Sequence, residues 1–290
     1  MCLVLIGWRA HPEYRLIVAA NRDEFYTRPT ESMRRWTEVP GMIAGRDVGA
    51  RGRTEGEPPG TWLGLWKNAG RFAAVTNVRN PLDDRPDARS RGALLMDFLR
   101  GVSRDGVADF PAPENYVQQV AEAPDDYNGY NVVVSDLRSL WWHSNRALAG
   151  VPRQLAPGFH GLSNAGFVTS APVGPDAELT AAARIWPKVR EGLGALRKVV
   201  GSEPDSVERY FEVLSDPTEA PEELLPDTGV PHEMERALSA GFIAHTIHGT
   251  RASTVLLVRE DGGFEIAERS FGPQGAPLGE VRLSGVIARP

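Results

Sequence analysis

The chain is short of cysteine, short of lysine and free of long apolar runs. Cysteine occurs once, as Cys2. One thiol cannot close an intramolecular disulfide, and it leaves no cysteine cluster for zinc; no metal site is expected. Lysine occurs only as Lys67, Lys188 and Lys198, so nearly all positive charge is arginine, as a GC-rich genome would produce. No basic block stands out. Lys plus Arg number 32 against 38 Asp plus Glu, a net charge of −6. A mildly acidic chain is a poor tracker of phosphates, so no nucleic acid is expected as partner. No stretch approaches the roughly 20 apolar residues of a membrane-crossing helix, so no integral membrane segment is expected. The N-terminal run Cys2–Trp8 lacks a basic leader and is too short for a signal core with its cleavage site. The cytoplasm is the expected location.

What is present is ordinary for a globular chain. The 290 residues are 41% hydrophobic and 24% charged. That length suits one large domain or two ordinary ones, with a core that needs no covalent staple. No linker, repeat or low-complexity tract divides it, which predicts a single domain over 1–290.

The pattern of apolar residues predicts paired strands with helices between them. Leu3–Trp8 reads as a strand buried on both faces, and Leu16–Ala20 as its return. Thr27–Pro59 reads as irregular, apart from a short strand at Met42–Ala44. Thr61–Trp66 and Phe72–Val78 follow as strands. Ser90–Val102 and Asn115–Ala121 have helical spacing. Strands return at Tyr130–Val134 and Leu140–His143, and Gly158–Thr169 mixes strand and turn. Helices are expected over Ala177–Val199 with a break at Pro187, over Ser206–Leu214, and from Pro231, where proline suits a first turn. Thr254–Arg259 and Phe264–Arg269 form a hairpin across Asp261-Gly262-Gly263. This is an α+β pattern, not a regular βαβ array. No glycine-rich phosphate loop is present, and no cofactor is expected.

The position of the one cysteine gives it a chemical meaning. A small residue after the initiator permits removal of Met1, which would leave Cys2 as the first residue. Its thiol and its own α-amine, with ordinary pKa values near 8.5 and 8, then form a matched nucleophile and base. A chain terminus replaces the histidine of a catalytic triad. The plain alternative is a buried structural cysteine. Two features favour the first reading. The thiol opens an apolar strand that ties the terminus down. The predicted hairpin also returns the polar cluster Asn21-Arg22-Asp23-Glu24 beside it. Asp23 can orient the amine, and Arg22 can lower the thiol pKa. The plain alternative for this tetrad is a solvated turn. Acyl transfer also needs oxyanion donors, for which Asn77, Asn164, Asn128 and Asn131 are candidates. Arg251 enters a strand poor in other charge, where it would suit an anionic substrate group or form an edge-strand charge.

Taken together, the fragments resemble the transport and Golgi organization protein 2 family, the NRDE proteins. They are Met1-Cys2, Asn21–Phe25, Arg28-Pro29, Gly60-Thr61-Trp62-Leu63-Gly64, Val75-Thr76-Asn77 and Tyr127-Asn128-Gly129-Tyr130-Asn131. Further along come Ser144-Asn145-Arg146, Gly161-Leu162-Ser163-Asn164-Ala165, Trp186-Pro187-Lys188-Val189, Leu225-Pro226-Asp227-Thr228-Gly229 and Gly249-Thr250-Arg251. The resemblance implies a four-layer αββα sandwich of the N-terminal nucleophile hydrolase type, more distantly similar to bile-salt hydrolases and penicillin V acylases. It implies Cys2 as nucleophile and Asp23 at its amine, with Asn77, Asn164 and Arg251 completing the catalytic set. Arg22 matches less well, because the acylases place their arginine before the corresponding motif. Gly166–Ile185 is longer than the family pattern and would reshape one pocket wall.

The activity so implied is hydrolysis of a non-peptide C–N bond in a small or lipid-like molecule. The alternative is a non-catalytic carrier of haem or a lipid-like ligand, since relatives are associated with secretory organisation, lipid metabolism and haem trafficking. His143, His160, His232, His245 and His248 are then possible axial ligands, as is Cys2. A scaffold role for the tryptophans is the third reading, although tryptophans in strands belong in a core.

Overall fold

The computed structural model describes residues 2–49, 59–80, 84–101, 110–147, 150–164 and 186–288, and the backbone of 167–169. It is a mixed α+β chain with two antiparallel seven-stranded sheets, each belonging to its own compact unit. The first unit comprises Met1–Arg28, Arg79–Leu82 and Ala156–Gly285. The second comprises Pro29–Val78, Asp83–Leu155 and Val286–Pro290.

The first unit grows from the predicted hairpin. Strands β1 (Cys2–His11) and β2 (Tyr14–Phe25) pair with Cys2 opposite Arg22 and Leu3 opposite Asn21. Both are buried along most of their length because both have neighbours on either side. In the chain order of the second unit's strands, β3 (Thr30–Arg35), β4 (Met42–Asp47), β5 (Leu63–Trp66), β6 (Arg71–Asn77), β7 (Tyr130–Ser135), β8 (Leu140–Ser144) and β9 (Arg153–Gln154) intervene. The first sheet then continues with β10 (Gly158–Leu162), β11 (Phe167–Thr169), β12 (His248–Arg259), β13 (Gly263–Phe271) and β14 (Pro277–Val286). Its order is β11-β10-β1-β2-β12-β13-β14.

Two helices of the second unit, α1 (Arg91–Arg100) and α2 (Pro113–Ala121), precede three of the first: α3 (Pro187–Ser202), α4 (Val207–Leu214) and α5 (His232–Ala237). Leu3, Leu5, Ile17, Ala19, Val255 and Leu257 point to one face of the first sheet. They form a single core there with Val189, Leu193 and Leu196 of α3 and Tyr210, Phe211 and Leu214 of α4. Alternation along a strand puts Asn21 and Asp23 on this same face and Cys2 and Arg22 on the other. Helix α3 lies close because Gly161 lacks a side chain. A Cβ there would meet Val189 Cγ1 at 2.4 Å.

The second sheet runs β3 to β9 in sequence order, a meander. Helix α1 packs on β5, β6 and β7, and α2 on β7 and β8. Ser90 caps α1 by accepting from Gly92 N at 3.3 Å, and Gly101 ends it in the left-handed region at φ 61°. Leu94, Leu95, Phe98 and Leu99 are its buried face, as the spacing predicts.

Three differences from the sequence reading have physical causes. Strand β3 lies inside the stretch read as irregular; its sequence is polar, and Met33 alone in it is buried. Strand β14 is exposed along most of its length, and only Val281 and Leu283 alternate as partly buried positions, too short a pattern to mark ten residues as a strand. Helix α3 begins at Pro187 rather than being interrupted there, because proline is accommodated in a first turn. The expected helix start at Ala177, and most of the long segment Gly166–Ile185, fall outside the described residues. Among the described residues no helix is long and apolar enough to cross a membrane.

Candidate active site at the start of the first strand

The sheet register gathers the site. Strand β2 runs past the start of β1 and pairs onward with β12. Asn21 lies opposite Ser253, Arg22 opposite Ala252 and Asp23 opposite Thr250, with an irregularity at Arg251. On the other flank, β10 pairs with β1 and delivers Ser163 and Asn164 just past Leu162. Cys2 therefore sits at the end of β1, between β2, which runs on past it, and the residues that follow β10.

Cys2 is buried, at 7% exposure. Its N–H donates to Asn164 Oδ1 at 3.4 Å, and its carbonyl accepts from Ser163 Oγ at 2.9 Å. Ser163 Oγ also lies 3.4 Å from Asn164 Oδ1. Burial pushes the Cys2 thiol above its ordinary pKa, and the Asp23 carboxylate adds to this. The Arg22 cation and a hydrogen bond from the Asp23 backbone amide act in the opposite sense.

The four residues of the tetrad are placed differently. Asn21 is fully buried and spans three elements. Its Nδ2 donates to the carbonyls of Leu214 at 2.7 Å and Gly241 at 2.8 Å, and its Oδ1 accepts from Ser253 Oγ at 2.6 Å. These bonds tie β2 to the end of α4 and to the loop before β12. Asp23, at 1% exposure, accepts from Thr250 Oγ1 at 2.6 Å. Thr250 Oγ1 in turn accepts from Ile243 N at 2.9 Å. Arg22 and Glu24 approach to 3.9 Å, and Arg28 reaches Glu24 at 3.5 Å. Burial works to raise the Glu24 carboxyl, but the positive charges around it, Arg22 and Arg28 among them, hold it below its ordinary pKa.

Arg251 lies on an interior strand, not at a sheet edge. Its Nη1 donates to the carbonyls of Phe25, Tyr26 and Arg28 at 3.0, 3.3 and 2.8 Å. It thus fixes the turn that follows the tetrad. Asn77, Asn128 and Asn131 belong to the second unit. Asn77 ends β6. Asn128 donates to Asp84 and the Arg85 carbonyl and accepts from Arg85 N, stitching a loop. Asn131 is fully buried and donates to Thr76 Oγ1 at 3.3 Å.

The histidines are also placed. His143, in the second unit, sits between Tyr130 Oη at 3.0 Å and the Gly150 carbonyl at 3.2 Å. His160 reaches the Ala156 carbonyl at 2.8 Å. Burial lowers the pKa of both. His248 packs edge-on against Phe25, with centroids 5.2 Å apart, and burial lowers it to about 4.

Lys188 has no local sequence signal of a role, yet the fold buries it, at 6% exposure, in the first turn of α3. Its ammonium donates to the Leu238 carbonyl at 3.0 Å. Burial depresses its pKa, and the Asp23 carboxylate opposes this. The only hint in the sequence is its place in the Trp186-Pro187-Lys188-Val189 fragment.

Comparison with known proteins finds similarity along most of the chain. A model of the family described as Transport and Golgi organisation 2 matches residues 1–273. A Mus musculus protein, Transport and Golgi organization 2 homolog, is 30% identical over 283 residues, covering 93% of either chain. The Bos taurus and Homo sapiens proteins, each named Transport and Golgi organization protein 2 homolog, are 32% and 31% identical, again with 93% of either chain covered.

Proposed function

This chain belongs to the Transport and Golgi organisation 2 family, and from that premise we propose that it is a cysteine N-terminal nucleophile hydrolase acting on a non-peptide amide bond of a small or lipid-like molecule. In this reading the whole chain, 1–290, works as one domain of the αββα sandwich type. The observation that carries it is the meeting of Asn164 Oδ1 with Cys2 N at the strand end where β2 delivers Arg22 and Asp23.

The chemistry follows from those positions. After Met1 is removed, the nitrogen held by Asn164 is a free α-amine. It takes the thiol proton, and the sulfur attacks the substrate carbonyl carbon. The carbonyl oxygen becomes an oxyanion, for which Asn164 Nδ2 is the assigned donor. Collapse breaks the C–N bond. The departing amine takes the proton held on the α-ammonium, and a thioester remains on Cys2. Water, deprotonated by the same amine, hydrolyses the thioester and frees the thiol. Asp23 keeps the amine oriented and supports its charged form, while Thr250 holds Asp23. Arg22 favours thiolate against the burial that opposes it.

The test is turnover of a panel of N-acyl amides by the native protein and by Cys2→Ala. The expected result is hydrolysis that Cys2→Ala abolishes while circular dichroism and the unfolding midpoint stay near wild type. Equal turnover by Cys2→Ala would contradict the reading.

A further inference from the structure

Buried charge in the first unit extends beyond the residues at Cys2. Arg79 and Glu235 lie 156 residues apart in sequence, and their side chains are 7% and 3% exposed. Neither stands in a pattern that marks it in the sequence.

We propose that Arg79 and Glu235 are positioning residues, whose buried ion pair holds Asn164 where its side chain meets the nitrogen of Cys2. The proposal rests on the hydrolase reading for its consequence, and on hydrogen bonds for its geometry. The backbone N–H of Arg79 donates to the Asn164 carbonyl at 2.8 Å. The guanidinium of Arg79 donates through Nη1 to Glu235 Oε2 and to Thr228 Oγ1, the latter at 3.3 Å. Glu235 Oε1 accepts from Thr228 N at 2.8 Å and from the Thr228 hydroxyl. The guanidinium carbon also stands 5.1 Å from the ring centroid of Trp186, the residue before α3.

Arg79 is thus held by a helix, a loop and an aromatic face, and its backbone passes that constraint to Asn164. Apolar residues of equal volume would serve stability as well as such a pair does. Directional bonds add a fixed geometry. The loop that supplies Thr228 is the Leu225–Gly229 fragment, to which the hydrolase reading gives no other duty.

Among the described residues, the charged groups around this chain of contacts include Arg22 and Asp23, which act on Cys2. Glu235 and Asp23 act on Arg79, and Lys188 of α3 feels Asp23, Arg79 and Cys2.

The test reads the thiol, so it does not depend on finding a substrate. Cys2 is the one cysteine, so alkylation by iodoacetamide followed by intact mass reports it alone. The labelling rate is measured against pH for wild type, Arg79→Met, Asn164→Ala and the double variant. General loosening speeds labelling at every pH and, by relieving burial, leaves the midpoint in place or moves it lower. Loss of the held amine moves the midpoint to higher pH, and each whole pH step lowers the thiolate fraction about tenfold at neutral pH. The expected result is a higher midpoint in both single variants, with the double variant no higher than Asn164→Ala. Should Arg79→Met fail to fold, Thr228→Ala and Glu235→Gln replace it under the same criterion. An unmoved midpoint in the clasp variants beside a raised one in Asn164→Ala overturns the clasp alone, as do increases that add in the double variant. An unmoved midpoint in Asn164→Ala overturns the clasp and the assignment of Asn164 together.

Discussion

The two units are built alike, each a seven-stranded antiparallel sheet with helices packed on it, but they satisfy their buried polar groups differently. In the second unit, buried polar groups on the sheet find partners close in sequence or on adjacent strands. Ser135 bonds the Ser139 carbonyl at 2.6 Å, His143 bonds Tyr130, and Asn131 bonds Thr76 on the neighbouring strand. In the first unit the partners are remote. Asn21 meets Leu214, Gly241 and Ser253; Asp23 meets Thr250; Cys2 meets Asn164; Arg79 meets Glu235. The second pattern concentrates polar groups at one end of three adjacent strands, where the chain also begins. Buried polar groups have to be satisfied in either unit. The first unit does so by drawing distant segments onto the end of β1, which is how a chemical site is assembled.

Removing the hub of the first unit sharpens that contrast most. Asn21→Ala leaves two buried carbonyls and one hydroxyl without their partner, so it should cost about 2–3 kcal/mol of unfolding free energy. Asn128→Ala, in a partly exposed loop of the second unit, should cost under about 1 kcal/mol. Urea denaturation of both variants measures the difference. Equal costs would break the contrast.

The next effect is in acid. Burial holds His248 neutral down to about 4, while in the unfolded chain it takes a proton near 6.5. Between those values the unfolded state binds the extra proton, so stability falls as pH falls through this window and levels off below it. His248→Gln should flatten that part of the profile. Melting midpoints from neutral pH to about pH 4 test this, and parallel curves for the two proteins would refute it.

The smallest effect is at the surface. Arg269 and Arg282 converge on Glu208 and Glu280 in an exposed network. Glu208→Gln should lower stability by less than about 1 kcal/mol, and less still in high salt. A loss as large as that of Asn21→Ala would mean that exposed charge matters as much as buried contacts here.

The same contrast explains what could be read from the sequence. The hairpin of β1 and β2 was legible because two apolar runs joined by a short turn have one way to pair. That pairing does put Arg22 opposite Cys2. Helices α1 and α4 were legible from their apolar spacing. Strands β3 and β14 were not, because β3 buries only Met33 and β14 only half-buries Val281 and Leu283, too little to leave a strand-length pattern in the sequence. At the site, Cys2 and the tetrad were legible from position and local composition. Asn164 stood out mainly through family resemblance. Lys188, Arg79 and Glu235 were missed as site residues, since their surroundings come from segments far away in the chain. The tetrad also divides more finely than its sequence suggests: Asn21 ties elements together, while Asp23 and Arg22 act electrostatically on the thiol.

The central claim is that Cys2, with its own amine, is the nucleophile. Intact mass spectrometry of the native protein, before and after exposure to candidate amides, tests it most directly. The expected result is a chain lacking Met1 that gains the mass of an acyl group on Cys2. An active protein that retains Met1 would contradict it.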